Sequence, residues 1–426
     1  MPLALTDLAP RYHSGQPAGM PSVCSAHPLV LRAALQHGRD TGDTVLIEAT
    51  CNQVNHLGGY TGMTPTDFAQ MVHDLAGAEG CPSDLIILGG DHLGPNPWRH
   101  LPAEDAMAQA EQMVAAYVAA GFGKIHLDAS MGCAGEPEAL DDTTTAHRAA
   151  RLARVAEETA QARSLPPPHY IIGTEVPPPG GADHELTTVS PTDPNAARDT
   201  LAVHQQVFLD QGLKSAFARV LGLVVQPGVE FGNKNTVLYR PEAATGLTQV
   251  LGAHPQLIFE AHSTDYQGTT PLAQLVRDGF PILKVGPELT FVLREALYAL
   301  DLIASDLLPD YGARPLFNSM EALMTRAPEN WERHYHGSEA EQRVLRHYSL
   351  SDRIRYYWTT LEAQTAVQAL LDALRGQSVP LPLMWQHMPA AASFASAPLD
   401  PETLLIWRVR QSLHSYHAAC AGAANL

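Results

Sequence analysis

Apolar and polar positions alternate along this chain on one plan, repeated eight times. A short apolar or small-residue run is followed by a segment with apolar residues at helical spacing. The runs are Ser22–His27, Thr44–Ala49, Leu85–Leu88, Lys124–Ser130, Tyr170–Val176, Val220–Pro227, Leu257–His262 and Ile282–Gly286. The helical segments between them carry recognisable starts. Thr64-Pro65 offers an N-cap and then a residue of fixed φ, ahead of Phe68, Met71, Val72 and Leu75. Met107, Ala110, Val114 and Val118 mark the helix expected over about 103–120. Further helices are expected from about 144 to 163, from near Pro194, from near Pro241, and from Pro287 to about Ser305.

Eight β-then-α units predict an α/β protein of the (β/α)8 TIM-barrel type over residues 1–305. An open doubly wound sheet is the weaker alternative, because no run leads into GxGxxG or GxxxxGK[ST]. After residue 306 the strand rhythm stops. Residues 306–426 are expected to form a helical extension packed on the barrel, with no evident linker.

Composition narrows the reading by exclusion. The formal charge is 27 − 45 = −18, which argues against a nucleic-acid or anionic-membrane surface. Five scattered cysteines without a CxxC fit reduced thiols in a cytoplasmic protein. No apolar run reaches the roughly 20 residues needed to span a bilayer, and the N-terminus has no signal-peptide pattern.

Leu85–Trp98, reading LIILGGDHLGPNPW, carries the chemistry. It is an apolar run that breaks through Gly89-Gly90 into Asp91-His92. In a parallel barrel the carboxyl ends of the strands share one mouth, where ligands bind. The other ends supply His27, Glu48, Asn52, Gln53, Asn55, Asp128, Ser130, Glu175, Gln226, Glu230, Glu260, His262, Ser263, Asp265 and Lys284. Imidazoles and carboxylates without cysteine suit a divalent ion: Zn²⁺ first, then Mn²⁺, Co²⁺, Ni²⁺ or Mg²⁺. His92, Glu230 and His262 are the expected ligands, and Asp91 and Glu175 the expected catalytic groups. Glu48, Asn52, Gln53, Asp128, Ser130, Gln226, Glu260, Ser263, Asp265 and Lys284 are the expected substrate contacts. Two alternatives stand beside this set. Glu230 instead pairs with Lys234 or Arg240, and a buried Lys284 takes either a protein carboxylate or a substrate phosphate. Lys234, Arg294 or the amides of a helix start also suit a phosphate.

Such a site supports retro-aldol cleavage of a ketose. Positive charge stabilises the enediolate, and a carboxylate such as Asp91 moves the hydroxyl proton. Recombination after the aldehyde turns over gives C4 epimerisation; its departure gives aldolase activity.

The segments IEATCNQVNHLGGYTGM, LGGDHLGPNPW, KIHLDASM, GTEVPPPGGA, VVQPGVEFG, FEAHSTDYQ, LKVGPELTFVLREAL and SLSDRIRYYW resemble the tagatose-bisphosphate aldolase Z-subunit family, of the GatZ/KbaZ type, itself related to class II aldolases. The resemblance runs from about residue 20 to 360. It implies a TIM barrel in which Asp91 is the acid/base, His92 and His262 bind metal, and Lys284-Val285-Gly286 lines a phosphate site. QPGVEFG departs from the aldolase pattern, which carries a metal histidine there. The resemblance leaves two functions: a ketohexose or ketohexose-phosphate 4-epimerase or aldolase, and a non-catalytic subunit supporting a class II aldolase. A sugar-phosphate-binding barrel without chemistry is a third. A homo-oligomer is expected.

Overall fold

The computed structural model describes residues 2–173 and 188–422. Eight parallel strands close into a barrel. They are β1 (Met20–Val23), β2 (Val45–Thr50), β3 (Ile86–Leu93), β4 (Lys124–Leu127), β5 (His169–Ile172), β6 (Val220–Val225), β7 (Ile258–Ala261) and β8 (Ile282–Val285). Each neighbours its sequence neighbour, and β8 pairs with β1 to close the ring. A helix follows every strand: α1 (Pro28–Thr41), α2 (Pro65–Glu79), α3 (Ala103–Ala119), α4 (Asp142–Ala162), α5 (Pro194–Asp210), α6 (Pro241–Thr248), α7 (Thr269–Arg277) and α8 (Pro287–Leu307). This is the TIM barrel that the repeated pattern predicts. The expected strands run long at their polar ends: β1 stops at Val23 and β4 at Leu127, so His27, Asp128 and Ser130 stand on the loops.

Local signals explain the helix starts. Thr64 and Asp67 form a reciprocal capping box, and Asp193 accepts from the amides of Asn195 and Ala196. The chain continues into α9 (Pro315–Arg326), α10 (Glu339–Tyr348), α11 (Leu361–Leu374), α12 (Leu381–His387) and α13 (Pro401–Gly422). α13 lies against α1, α7, α8 and the outer face of β1. All five cysteines are unpaired, and no described helix is long and apolar enough to cross a membrane.

Side chains alternate across a strand, so inward residues at every second position stack in layers down the barrel. The lowest layer is apolar: Met20, Leu46, Ile171, Ile258 and Ile282, closed from below by Leu5, Leu8 and Ala9. Two residues further along their strands come Ser22, Glu48, Glu260 and Lys284, with Lys124 level with Glu48 across Gly89, all buried. Two residues beyond those come His126 and His262, at the mouth. Thus the same strands pass from oil to ions to imidazole.

Candidate active site

The middle layer is a closed ion cluster. Lys124 Nζ lies 2.5 Å from Glu48 Oε1 and 2.7 Å from Glu260 Oε2. Lys284 Nζ lies 2.5 Å from Glu48 Oε2, 2.5 Å from Asp91 Oδ1 and 3.3 Å from Glu260 Oε1. Burying these groups is expensive, and mutual pairing offsets the cost. Three carboxylates face two ammonium groups, so one negative charge is left over. Burial alone would raise the carboxyls of Asp91 and Glu260. Their cationic neighbours instead hold both well below the usual range: His92 and Lys284 for Asp91, Lys124 and Lys284 for Glu260. Of the two partners posed for Lys284, the structure shows the protein carboxylates. Glu48 and Glu260 belong to this buried cluster rather than to the open mouth.

Above it, a bulge in β3 turns two adjacent side chains the same way. Gly90 pairs with Ile125 and Leu93 with Leu127, so β3 spends one more residue than β4 between these points. His92 has φ 50°. Without the extra residue His92 would point outward, between strand and helix. With it, both Asp91 and His92 line the mouth. The flanking glycines are required by space. A Cβ on Gly89 would sit 2.7 Å from Glu48 Cγ, and one on Gly94 would overlap the carbonyl of Asp128 at 1.5 Å.

His92 Nδ1 lies 2.8 Å from Asp128 Oδ2, and Ser130 donates to Asp128 Oδ1 at 3.1 Å. Burial would raise the Asp128 carboxyl, but its hydrogen bond to His92 leads the effects that bring it down to about 2. A carboxylate on one ring nitrogen fixes the imidazole and leaves the other nitrogen facing inward, the usual support of a metal-binding histidine. That free Nε2 is 3.7 Å from Asp91 Oδ2.

Three imidazoles converge here. The ring centroids of His92, His126 and His262 are 4.9–5.2 Å apart in every pairing. His126 Nδ1 lies 2.9 Å from Asp91 Oδ1, while its buried Nε2 has no hydrogen-bond partner. Burial lowers His262 to about 3, so it stays neutral, as a ligand must. One ligand atom each from Asp91, His126, Glu260 and His262 lies within 4.8 Å of the others. The surplus negative charge, the converging rings and the orphaned Nε2 all fit a divalent ion at this place.

Several expected residues stand outside the histidine cluster. Glu230 does not join the histidines. It lies on a two-stranded ribbon, Glu230–Phe231 with Thr236–Val237. Its Oε1 accepts from the Phe231 amide at 2.9 Å, and burial pushes the carboxyl up to about 7. No ion pair links it to Lys234 or Arg240 among the described residues. Gln226 braces its own turn, accepting from Gly228 and Val229 amides at 2.8 and 2.9 Å. Asp265 caps α8 through the amides of Gly286 and Glu288 at 3.0 and 2.8 Å, which removes that helix start as an anion site. Arg294 is committed to Asp352 at 2.8 Å. Asn52, Gln53, Ser263 and Asp265 line the mouth; Glu175 lies outside the described residues.

Sequence reasoning missed Lys124 and His126, although KIHLDAS holds the signal. Lys124, His126 and Asp128 alternate, which is the period of one strand face. It also missed Tyr60, Arg355 and Tyr356, which complete the mouth from the loop after β2 and from the extension.

A family model described as D-tagatose-1,6-bisphosphate aldolase subunit GatZ/KbaZ-like matches residues 5–421. A protein from Agrobacterium fabrum, named D-tagatose 6-phosphate 4-epimerase, is 59% identical over 419 residues, covering 98% of this chain and 99% of that protein. A crystal structure described as a probable tagatose 6 phosphate kinase from Sinorhizobium meliloti is 51% identical, with TM-score 0.86, covering 94% of this chain and 100% of that one. A fructuronate-tagaturonate epimerase from Cohnella laeviribosi shares the fold at 12% identity and TM-score 0.50, covering 94% of this chain and 81% of that one.

Proposed function

The chain belongs to the D-tagatose-1,6-bisphosphate aldolase subunit GatZ/KbaZ-like family, and from that premise we propose that it is a ketohexose-6-phosphate 4-epimerase acting on tagatose- and fructose-type sugars. The observation that carries the reading is Asp91 set beside three convergent imidazoles at the barrel mouth. The high identity with the Agrobacterium protein supports the substrate class.

The reaction breaks the C3–C4 bond. The C4 hydroxyl gives its proton to a base, C4 becomes an aldehyde, and the bonding pair moves into the C2 carbonyl to form an enediolate. The aldehyde turns over and the bond reforms with C4 inverted. Asp91 is ionised and at the mouth, so it is placed to take and return the hydroxyl proton. His92, His126 and His262 would hold the divalent ion, with Asp91 and Glu260 beside them. Zinc is the first choice for this donor set, ahead of Mn²⁺, Co²⁺, Ni²⁺ and Mg²⁺. When bound, the ion supplies positive charge where the enediolate's negative charge develops. Asp128 orients His92, and Lys284 keeps Asp91 ionised.

An epimerase must keep its aldehyde. Tyr60 and Tyr356 line the mouth and meet edge to face at 4.9 Å. The extension thus belongs to the site as well as to the packing. Metal analysis of the purified chain, with a C4-epimerisation assay on tagatose 6-phosphate and fructose 6-phosphate, tests the reading. Metal-dependent interconversion is expected, and none with metal present would end it. The family description's word "subunit" favours a second reading, support of a class II aldolase. That reading expects a partner aldolase to gain activity on mixing even when His92→Ala has removed an imidazole.

A further inference from the structure

Among the buried or half-buried cations named above, one has no anionic partner among the described residues. Lys124 and Lys284 face Glu48, Asp91 and Glu260, and Arg294 faces Asp352. Arg355 is half-buried, yet all its hydrogen-bond acceptors are neutral. Its Nη1 donates to the carbonyls of Ser351 and Asp352, and its Nη2 to the Tyr356 hydroxyl at 2.9 Å. Asp352 is the acidic group nearest in effect. Its two oxygens are taken by Arg294 Nε at 2.8 Å and Thr290 Oγ1 at 2.7 Å.

We propose that Arg355 is the phosphate-binding residue of the mouth, supplied to the barrel by the extension. The inference rests on the epimerase reading for the identity of the phosphate's carrier. Arg355 lines the same pocket as Asp91, His262 and Lys284, and also borders an adjoining cavity of about 310 Å³. A phosphorylated sugar has one end that reacts and one that carries two negative charges. The first belongs with Asp91 and the imidazoles, and the second needs a cation on the same pocket. Of the other candidates, Lys284 faces three carboxylates and the α8 amides are taken by Asp265, while Arg294, paired with Asp352, and the exposed Lys234 do not line the pocket. A planar guanidinium offers a phosphate two parallel N–H donors, and an anion there would offset the cost of a half-buried charge.

The residue is held in place before any ligand arrives. The turn Arg353–Tyr357 begins at Asp352, whose φ is 45° and whose carboxylate is tied to Thr290 and Arg294 of α8. The Tyr356 ring lies under the guanidinium, 4.5 Å from its carbon. This fixes the plane of the fork, which lowers the entropy lost on binding.

The test compares the full chain with Arg355→Gln and Arg355→Lys. Loss of a charge-assisted hydrogen-bonding partner is expected to cut kcat/KM for tagatose 6-phosphate about 30- to 100-fold in R355Q, with free tagatose changed less than about threefold. R355K keeps the charge and is expected to recover part of the loss. Calorimetric titration with inorganic phosphate gives an independent readout, and R355Q is expected to weaken it about tenfold or more. Equal losses on both sugars, or phosphate affinity unchanged in R355Q, overturns the proposal. If the wild-type chain epimerises no ketohexose phosphate, the functional reading falls, and the phosphate titration still decides the anion site.

Discussion

The lower and upper halves of this barrel are made from the same strands and hold opposite contents. Leu46 and Glu48 are two residues apart on β2, as are Ile258 and Glu260 on β7 and Ile282 and Lys284 on β8. Below, Leu5 and Leu8 close an apolar plug that needs only volume and contact. Above, three carboxylates share two ammonium groups, leaving one negative charge over, and three imidazoles meet over them. The plug is held by apolar contact alone, apart from the larger core between strands and helices. In the upper half the cost of burial is offset only while the ionic set is complete.

The sharpest way to break this comparison is at Asp91. Asp91→Asn keeps the side chain's size but removes the carboxylate proposed as the base, so epimerisation is expected to fall about 10³-fold, at the middle of the range for a lost proton-transfer group. The melting temperature decides whether the loss is chemical, and a collapse of the fold would erase the distinction between the two halves. Removing Lys124 tests the ionic set itself. Lys124→Met leaves Glu48 and Glu260 to share Lys284, and urea unfolding is expected to show a loss of about 3–5 kcal/mol, the cost of orphaning a buried charge. A near-neutral result would mean that water or a proton compensates the carboxylates.

The plug should respond differently. Ile258→Val is expected to lower stability by about 0.5–1.5 kcal/mol, measured by urea unfolding, while kcat of the folded fraction stays unchanged. Chelation with EDTA should separate the halves again: activity is expected to disappear, and the melting temperature to drop as the ion's contribution to the native state is lost.

The smallest effect concerns Glu230. Burial raises its folded pKa to about 7, above its ordinary value of 4.5. The folded state then holds this proton longer than the unfolded chain, so Glu230 contributes a loss of stability as pH rises from about 4.5 through about 7. Glu230→Gln should flatten the fall of melting temperature over that window. An unchanged pH profile would show that Glu230 is ionised through other contacts.

Much of this architecture was legible beforehand. The eight apolar runs are local facts, and strand closure follows from their repetition with helices between. Asp91 and His262 were legible because polar residues directly after an apolar run must meet something at a barrel mouth. His126 was hidden within a run counted as strand. Glu230 attracted attention by its place in QPGVEFG, yet its carboxyl meets the Phe231 amide and the Ser263 side chain rather than the imidazoles. Arg355 lay 71 positions after Lys284, in a segment whose spacing carries no sign of the site.

By itself the sequence determined the class of fold, the order of the strands and the kind of chemistry at their ends. Those depend on periodicity, which each segment carries alone. The tertiary structure decided which charges neutralise which, because pairing depends on the register across a closed ring. It placed His92 inward through a single-residue bulge visible only against β4. It gave Lys284 to the carboxylates, and brought Arg355 from a distant turn to the mouth. Coulomb energy depends on distance in space and on the water excluded between charges, and neither is written in the order of residues.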